Sequence, residues 1–313
     1  MSKWPISKFF TISFALKKKT AIIILGPTAV GKTPVAVDLA IQFGTKIISA
    51  DSRQCFKELN IGVAKPSVEQ LKAVHHFFIG SHSIFDEINA SVFEKLAHSW
   101  AHDIFEMSDF LVMVGGTGLY IRAFCEGLDE IPMVENGIRN ELRAQYEIAG
   151  LDWLREQVKV TDPGYFLQGE NQNPQRMLRA LEVKLGTGRS ILSFQQNLVK
   201  EREFRVLKIG LQMPKHELCS AINSRVDKMI SDGLLLEVER LGKFRNLNAL
   251  RTVGYAEILS YLENQISLDE AISLIKRNTR RYARRQMTWF RKDPEITWIH
   301  PDDKHKIKNI TES

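Results

Sequence analysis

From residue 20 onward, short continuous apolar runs alternate with longer stretches of helical periodicity. Residues 21–25, 46–50 and 110–114 are runs of the first kind, rich in isoleucine and valine, which is how strands covered on both faces read. Such strands run parallel and are joined by helical crossovers, and residues 34–43 and 91–107 carry the spacing that supplies them. Residues 205–211 predict a fourth strand and residues 296–299 a weaker fifth. The pattern is that of an α/β fold. About ninety residues separate the third strand from the fourth, too many for one crossover, so the gap is expected to hold an insertion.

That gap has its own helical punctuation. Between residues 135 and 200, Asn173 followed by Pro174 reads as an N-cap with proline in the first helical position, opening a helix that runs to Leu185 and stops at Gly186. Nearer the C-terminus, Ser267 with Glu270 has the form of a capping box, and the helix it opens extends to about Lys292, where Asp293-Pro294 ends it. The expected division is a basic, disordered leader over 1–19, the first part of the core over 20–133, a mainly helical insertion over 134–200, and completion of the core with a basic helix over 201–313. In the leader, the apolar residues 9–16 lie between lysines, have no small-residue cleavage site and are too few to span a bilayer. No membrane association is expected.

Candidate chemistry begins where the first strand ends. Gly26-Pro27-Thr28-Ala29-Val30-Gly31-Lys32-Thr33 fits G-x-x-x-x-G-K-[ST] between a strand and a helix. Its glycines let backbone N–H groups turn towards phosphate oxygens, Lys32 supplies a point charge, and the Thr33 hydroxyl can hold Mg2+. The core is therefore expected to be a P-loop NTPase-like parallel sheet flanked by helices, binding a di- or triphosphate. The loop alone does not choose among hydrolases, kinases and transferases. Asp51, within Ser49-Ala50-Asp51-Ser52-Arg53-Gln54, follows the second strand, and ligands of open α/β sheets sit beyond the carboxyl ends of strands. The plainer alternative is an aspartate capping the next segment. The third strand ends in Gly115-Gly116-Thr117-Gly118, which allows close backbone approach to a ligand or forms a tight turn. Adjacent His75 and His76 lack metal-ligand spacing and read as a loop or core pair.

Composition and charge sharpen the picture. The 313 residues are 44% hydrophobic and 26% charged, ordinary globular usage that excludes collagen-like and wholly disordered chains. Cys55, Cys125 and Cys219 are far apart, so neither a disulfide framework nor a zinc site is expected, and a reducing, cytoplasmic location is. The net charge of +6 is concentrated: five lysines in the leader and eight basic residues in 276–292 come with no acid, which leaves 30 basic against 37 acidic residues elsewhere, a remainder of −7. Arg277, Arg280, Arg281, Arg284, Thr288 and Arg291 recur at helical spacing as one stripe, with Tyr282, Trp289 and Phe290 as aromatic surface nearby. A solvated face is the bland reading of the stripe; contact with an RNA backbone is the sharper one.

GPTAVGKT (26–33), SADSRQ (49–54), GGTGLYIRA (115–123), PQRMLRALEV (174–183), RTVGYAEI (251–258) and NTRRYARRQMTWFRK (278–292) appear in the order found in the tRNA dimethylallyltransferases. The chain resembles that family over nearly all of residues 20–292. The resemblance implies transfer of a dimethylallyl group from dimethylallyl diphosphate to the exocyclic N6 of the adenosine 3′ of the anticodon, position 37, with release of diphosphate. By resemblance the loop 26–33 holds the diphosphate with Mg2+, Asp51 is the general base, Thr117 lies near diphosphate and acceptor, and Arg225 joins Lys32 beside the diphosphate. Contacts to the tRNA anticodon stem-loop are implied for Asp51, Ser52, Arg53, Gln54, Thr117, Arg139, Gln175, Arg176, Met177, Leu178, Arg179, Arg281 and Arg285. Helical spacing, by contrast, reads Met177 and Leu178 as packing residues. A monomer is expected.

The implied chemistry suits these residue types. An adenine amino group is a poor nucleophile, so a carboxylate within hydrogen-bond reach serves to take the proton lost on alkylation. Cations and loop N–H groups offset the charge developing on the departing diphosphate. A stacked base must also be flipped out to be reached. Two departures stand out: Cys55-Phe56 replaces the family's usual valine-tyrosine, which puts any contact from that tyrosine hydroxyl in doubt, and Pro34 directly follows Thr33, where the first helical turn tolerates it. A small-molecule phosphotransferase, an adenylate prenyltransferase and a non-catalytic RNA-binding module are the competing readings. The insertion and the arginine stripe favour a macromolecular acceptor, and the last leaves the phosphate loop unexplained.

Overall fold

The computed structural model describes residues 19–196 and 198–312, so the leader, apart from Lys19, lies outside the described residues. Six parallel strands form a sheet: β1 (Thr20–Leu25), β2 (Ile47–Ala50), β3 (His76–Phe77), β4 (Phe110–Gly115), β5 (Arg205–Leu211) and β6 (Thr297–Ile299). Their order is β3-β2-β4-β1-β5-β6. The expected strands are present within a residue of their predicted ends. The exception is β3, whose two residues are too short to register as a periodic run. His75 and His76 point apart there: His76 is buried, with Nδ1 2.8 Å from the Val74 carbonyl oxygen, and His75 is exposed.

Both faces of the sheet are covered, and alternation along the strands sorts the core. In β1, Ala21, Ile23 and Leu25 enter a cluster with Phe93, Phe124 and Ile275. Ile22 and Ile24 enter the opposite one with Val35, Ala36, Leu39 and Ile307. This two-sided burial is why β1 reads as an unbroken apolar run. The covering helices are α1 (Lys32–Gln42), α2 (Val68–Ala73), α3 (Ala90–Met107) and α4 (Gly118–Glu126), followed after a long excursion by α8 (Lys215–Ser231), α9 (Leu234–Leu241), α10 (Tyr255–Leu262), α11 (Leu268–Phe290) and α12 (Lys304–Glu312). Asn89 caps α3 by accepting from the N–H groups of Ser91 and Val92, and Ser67 forms a reciprocal capping box with Gln70 on α2. At α11 the Ser267 hydroxyl accepts from the Glu270 N–H at 3.2 Å.

The excursion, Glu126–Glu201, is a compact unit of its own; the stretches up to Cys125 and from Arg202 onward form the other. It holds α5 (Asn136–Thr161), α6 (Pro163–Gln168) and α7 (Pro174–Thr187), packed around Leu154, Val158, Met177 and Leu181. Gly150 breaks α5 with φ 77°. Asn173 caps α7 through Oδ1, and Pro174 takes the first helical position. The helix passes through Gly186, however, and ends at Gly188, which adopts φ 72° and donates its N–H to the Lys184 carbonyl. Two glycines stood near that end, and the left-handed backbone of the second is what stops the helix. Among the described residues no helix is long and apolar enough to cross a membrane.

Candidate active site

The strand order places the sequence motifs side by side. β2, β4 and β1 are consecutive neighbours, so the segments after Ala50, Gly115 and Leu25 emerge together at the carboxyl edge of the sheet. There they line a cavity of about 360 Å3 with Thr28, Gly31, Lys32, Thr33, Asp51, Gly116, Arg225, Tyr282 and Gln286 among its walls. Asp51, Ser52, Arg53, Arg225 and Tyr282 also line an adjoining recess of about 120 Å3. Motifs scattered over some 260 residues of sequence thus meet because a parallel sheet aligns the ends of its strands.

Close approach sets the local geometry. Gly26 has φ 142°, and a Cβ there would lie 2.5 Å from the Leu211 carbonyl oxygen of β5. Ala29 sits in the left-handed region at φ 68° and Gly31 at φ 90°. Lys32 Nζ donates to the Gly26 and Pro27 carbonyl oxygens at 3.0 and 2.7 Å. Arg225, reaching in from α8, donates to the Thr28 hydroxyl at 3.1 Å. Asp51 Oδ1 accepts from the N–H groups of Arg53 at 2.9 Å and Gln54 at 3.2 Å, which fixes the carboxylate and leaves Oδ2 without a partner among the described residues. This is the capping geometry of the plainer reading, and it leaves the second oxygen of Asp51 available. Thr117 accepts from the Ser52 N–H at 3.1 Å, joining the turn after β4 to the segment after β2. Gln54 is committed elsewhere: its amide donates to the Val63 and Ala64 carbonyls.

Burial and neighbouring charge act together on the ionisable groups. Lys32 is pushed down to about 7, first by burial and then by the charge of Arg225, with Asp51 opposing the fall. Burial also lowers Arg225, again against the pull of Asp51. The Tyr282 phenol is pushed up to about 12 by burial and by Asp51. Cys55 and Phe56 are buried in the core cluster, the thiol pushed up to about 12 by burial and then by Asp51, so no polar group faces the site from those two positions. Pro34 is exposed in the first turn of α1, as its missing N–H permits.

The basic stripe keeps to one face of α11. Arg277, Arg280, Arg281, Arg284, Thr288 and Arg291 line a cleft of about 680 Å3 against Lys215, Leu218 and Ile222 of α8. Arg285 belongs to the other side, its guanidinium 5.7 Å from the centre of the Tyr282 ring. Phe290, expected as aromatic surface, is instead 3% exposed in the core, because it falls on the stripe of Ala271, Ile275 and Ala283. Trp289 remains partly exposed.

In the insertion, Met177 and Leu178 are 0% and 3% exposed. Their side chains make the unit's core and cannot present themselves to RNA, so the spacing is the right guide and the contact implied for them by resemblance is corrected. Arg139 and Arg179 both pair with Glu182, at 3.3 and 3.1 Å, around a carboxylate that is only 4% exposed. Gln175 and Arg176 are exposed on α7. Sequence reasoning did not single out Gln286 or Lys65 in the cavity wall, and it read Tyr282 only as aromatic surface beside the stripe. Gln286 and Tyr282 had a legible trace: polar atoms on the otherwise apolar face of a helix whose opposite face is arginine-rich.

A phosphate loop after β1, a held carboxylate after β2 and a half-buried arginine from α8 define a P-loop enzyme of the parallel α/β class. The chain belongs to the IPP transferase family, whose profile matches residues 54–293. It is therefore a transferase. It is 45% identical over 286 residues to tRNA dimethylallyltransferase 2 of Parabacteroides distasonis, covering 91% of this chain and 96% of the relative. It is 46% identical over 285 residues to the tRNA dimethylallyltransferase of Christiangramia forsetii, covering 91% and 94%. Among solved structures, the full-length tRNA isopentenylpyrophosphate transferase of Bacillus halodurans shares 34% identity with a TM-score of 0.68 over 94% of this chain and 95% of that one. A eukaryotic dimethylallyltransferase acting on tRNA shares the fold, with a TM-score of 0.75 at 22% identity over 94% and 77%.

Proposed function

We propose that the enzyme transfers a dimethylallyl group from dimethylallyl diphosphate to N6 of the adenosine at position 37 of tRNAs. The observation that carries this reading is the cavity in which the phosphate loop, Asp51 and Arg225 converge, in a chain 45% identical to a tRNA dimethylallyltransferase. In the reaction the C1–O bond of the allylic diphosphate breaks and diphosphate leaves. A bond forms between C1 and N6, and the N6 proton passes to a carboxylate oxygen of Asp51. Lys32, Arg225 and the loop N–H groups offset the charge that grows on the leaving oxygens. Thr117, through its contact with the Ser52 N–H, ties the base-bearing segment to the turn after β4.

Thr33 and Asp51 share the cavity wall with Lys32, and among the described residues no cluster of three or more acidic, histidine or cysteine ligands forms a cage. That donor set suits Mg2+ held by one or two protein oxygens together with substrate phosphates. Thr33 would hold it, and when bound it would polarise the leaving diphosphate. Ser52, Arg53 and Thr117 face the acceptor nucleoside and Arg285 the phosphates beside it, with Gln54 steadying the loop. Arg281 and its neighbours follow the phosphodiester chain, and the insertion over 134–200 contributes Gln175, Arg176 and the partly exposed Arg139 and Arg179. The test is incubation with dimethylallyl diphosphate, Mg2+ and either unmodified tRNA or free AMP, followed by nucleoside analysis. Prenylated adenosine in the tRNA digest is the expected product. Prenylation of AMP alone, or ATP-dependent phosphorylation without prenyl transfer, sinks the reading.

A further inference from the structure

Gln286 lies on the buried side of α11, with Ile275, Tyr282, Ala283 and Phe290. A primary amide on an apolar helix face is costly unless its polar atoms find partners. Both ends of this one do: Oε1 accepts from the Thr28 N–H at 2.8 Å and Nε2 donates to the Gly116 carbonyl at 2.9 Å. Thr28 is therefore gripped twice, at its amide from α11 and at its hydroxyl by Arg225 of α8. The residue after it, Ala29, sits at φ 68°, a conformation costly to a non-glycine residue that persists only where neighbours over-determine it. Gly116 is shaped to the same contact, since a Cβ there would lie 2.2 Å from Gln286 Nε2.

We propose that Gln286 is a positioning residue for the diphosphate subsite. Its amide fixes the Thr28 N–H against the Gly116 carbonyl, which holds the phosphate loop in its strained shape and sets its distance from the turn that carries Thr117. The Thr28 N–H is committed to this brace, so the loop's remaining donors are the ones offered to phosphate oxygens. The proposal rests on the reading of this cavity as the dimethylallyl diphosphate site.

Gln286→Met keeps the length and volume of the side chain and removes both hydrogen bonds. The expected result is a rise of roughly tenfold in the dissociation constant for pyrophosphate with Mg2+, the scale set by the absence of one or two hydrogen bonds. The KM for dimethylallyl diphosphate rises in parallel, while the dissociation constant for tRNA alone stays within about twofold and the two backbone groups left unpaired lower the melting temperature by only a few degrees. Gly116→Ala, which displaces the same amide from the opposite side, reproduces the loss of pyrophosphate affinity. Wild-type pyrophosphate affinity in either variant overturns the proposal, as does equal loss of pyrophosphate and tRNA affinity in step with the melting temperature. A wild-type protein that binds pyrophosphate but does not prenylate tRNA overturns the proposed function and leaves this test intact.

Discussion

In the proposed reaction Asp51 and Lys32 divide the work of the cavity, and each makes a separable prediction. The hydrogen bonds to Asp51 come from its own following backbone, so Asp51→Asn preserves the turn and removes the proton acceptor. Turnover is expected to fall about 10²-fold or more, with pyrophosphate affinity nearly unchanged. An unchanged single-turnover rate removes Asp51 as the base. Lys32, held at about 7 in the free protein, is mostly neutral above that pH. Diphosphate favours the ammonium form, so binding at pH 8 draws in up to about one proton and binding at pH 6 draws in little. Calorimetry in buffers of different ionisation heat checks this, with Lys32→Met losing the uptake. The sign for folding is the opposite of the usual salt-bridged lysine. Between about 7 and the ordinary 10.5 the unfolded chain binds more protons, so this group's contribution to stability rises with pH over that window.

At the scale of elements, α11 does two jobs on two faces. Its buried face supplies Tyr282 and Gln286 to the cavity, while its arginine stripe lines the cleft against α8. Replacing Arg281 and Arg285 together by alanine is expected to flatten the log–log salt dependence of tRNA binding by roughly one to two, because each phosphate left without its arginine keeps about one counterion that binding would otherwise release. A slope equal to wild type returns the arginines to a merely solvated role. The helix was legible from Ser267 onward because its start is capped and its stripe periodic. The surface that Arg285, off the stripe, shares was not, since that depends on what packs beside it. The same reason separates α7's residues: spacing put Met177 and Leu178 inside, and only the fold showed that Arg139 and Arg179 meet at Glu182.

The whole molecule is one sheet-based unit interrupted by one helical unit. The ends of the interruption lie close within the sheet-based unit, where Arg202 donates to the Ala123 carbonyl at 3.0 Å and to the Cys125 carbonyl at 3.3 Å. Replacing Glu126–Glu201 by a short Gly/Ser linker is therefore expected to leave pyrophosphate binding within about threefold, since linking adjacent ends costs little loop entropy. Binding of tRNA should weaken at least tenfold in the same protein. A deletion protein that keeps full tRNA affinity assigns RNA binding to the sheet-based unit alone.

The sequence by itself determined what depends on neighbours along the chain. Strands read as apolar runs because burial on both faces removes the need for polar positions, and the phosphate loop reads as glycines followed by Lys32-Thr33 because local backbone geometry demands them. Helix caps at Asn173 and Ser267 belong to the same class. Tertiary structure alone decided what depends on residues far apart. The order β2-β4-β1 brought Asp51, Thr117 and Lys32 to one edge, and the crossing of α8 and α11 put Arg225 and Gln286 on the same threonine, 197 and 258 residues away in sequence. No periodicity encodes such pairs, because a hydrogen bond across that separation is fixed only when the sheet and its covering helices have packed.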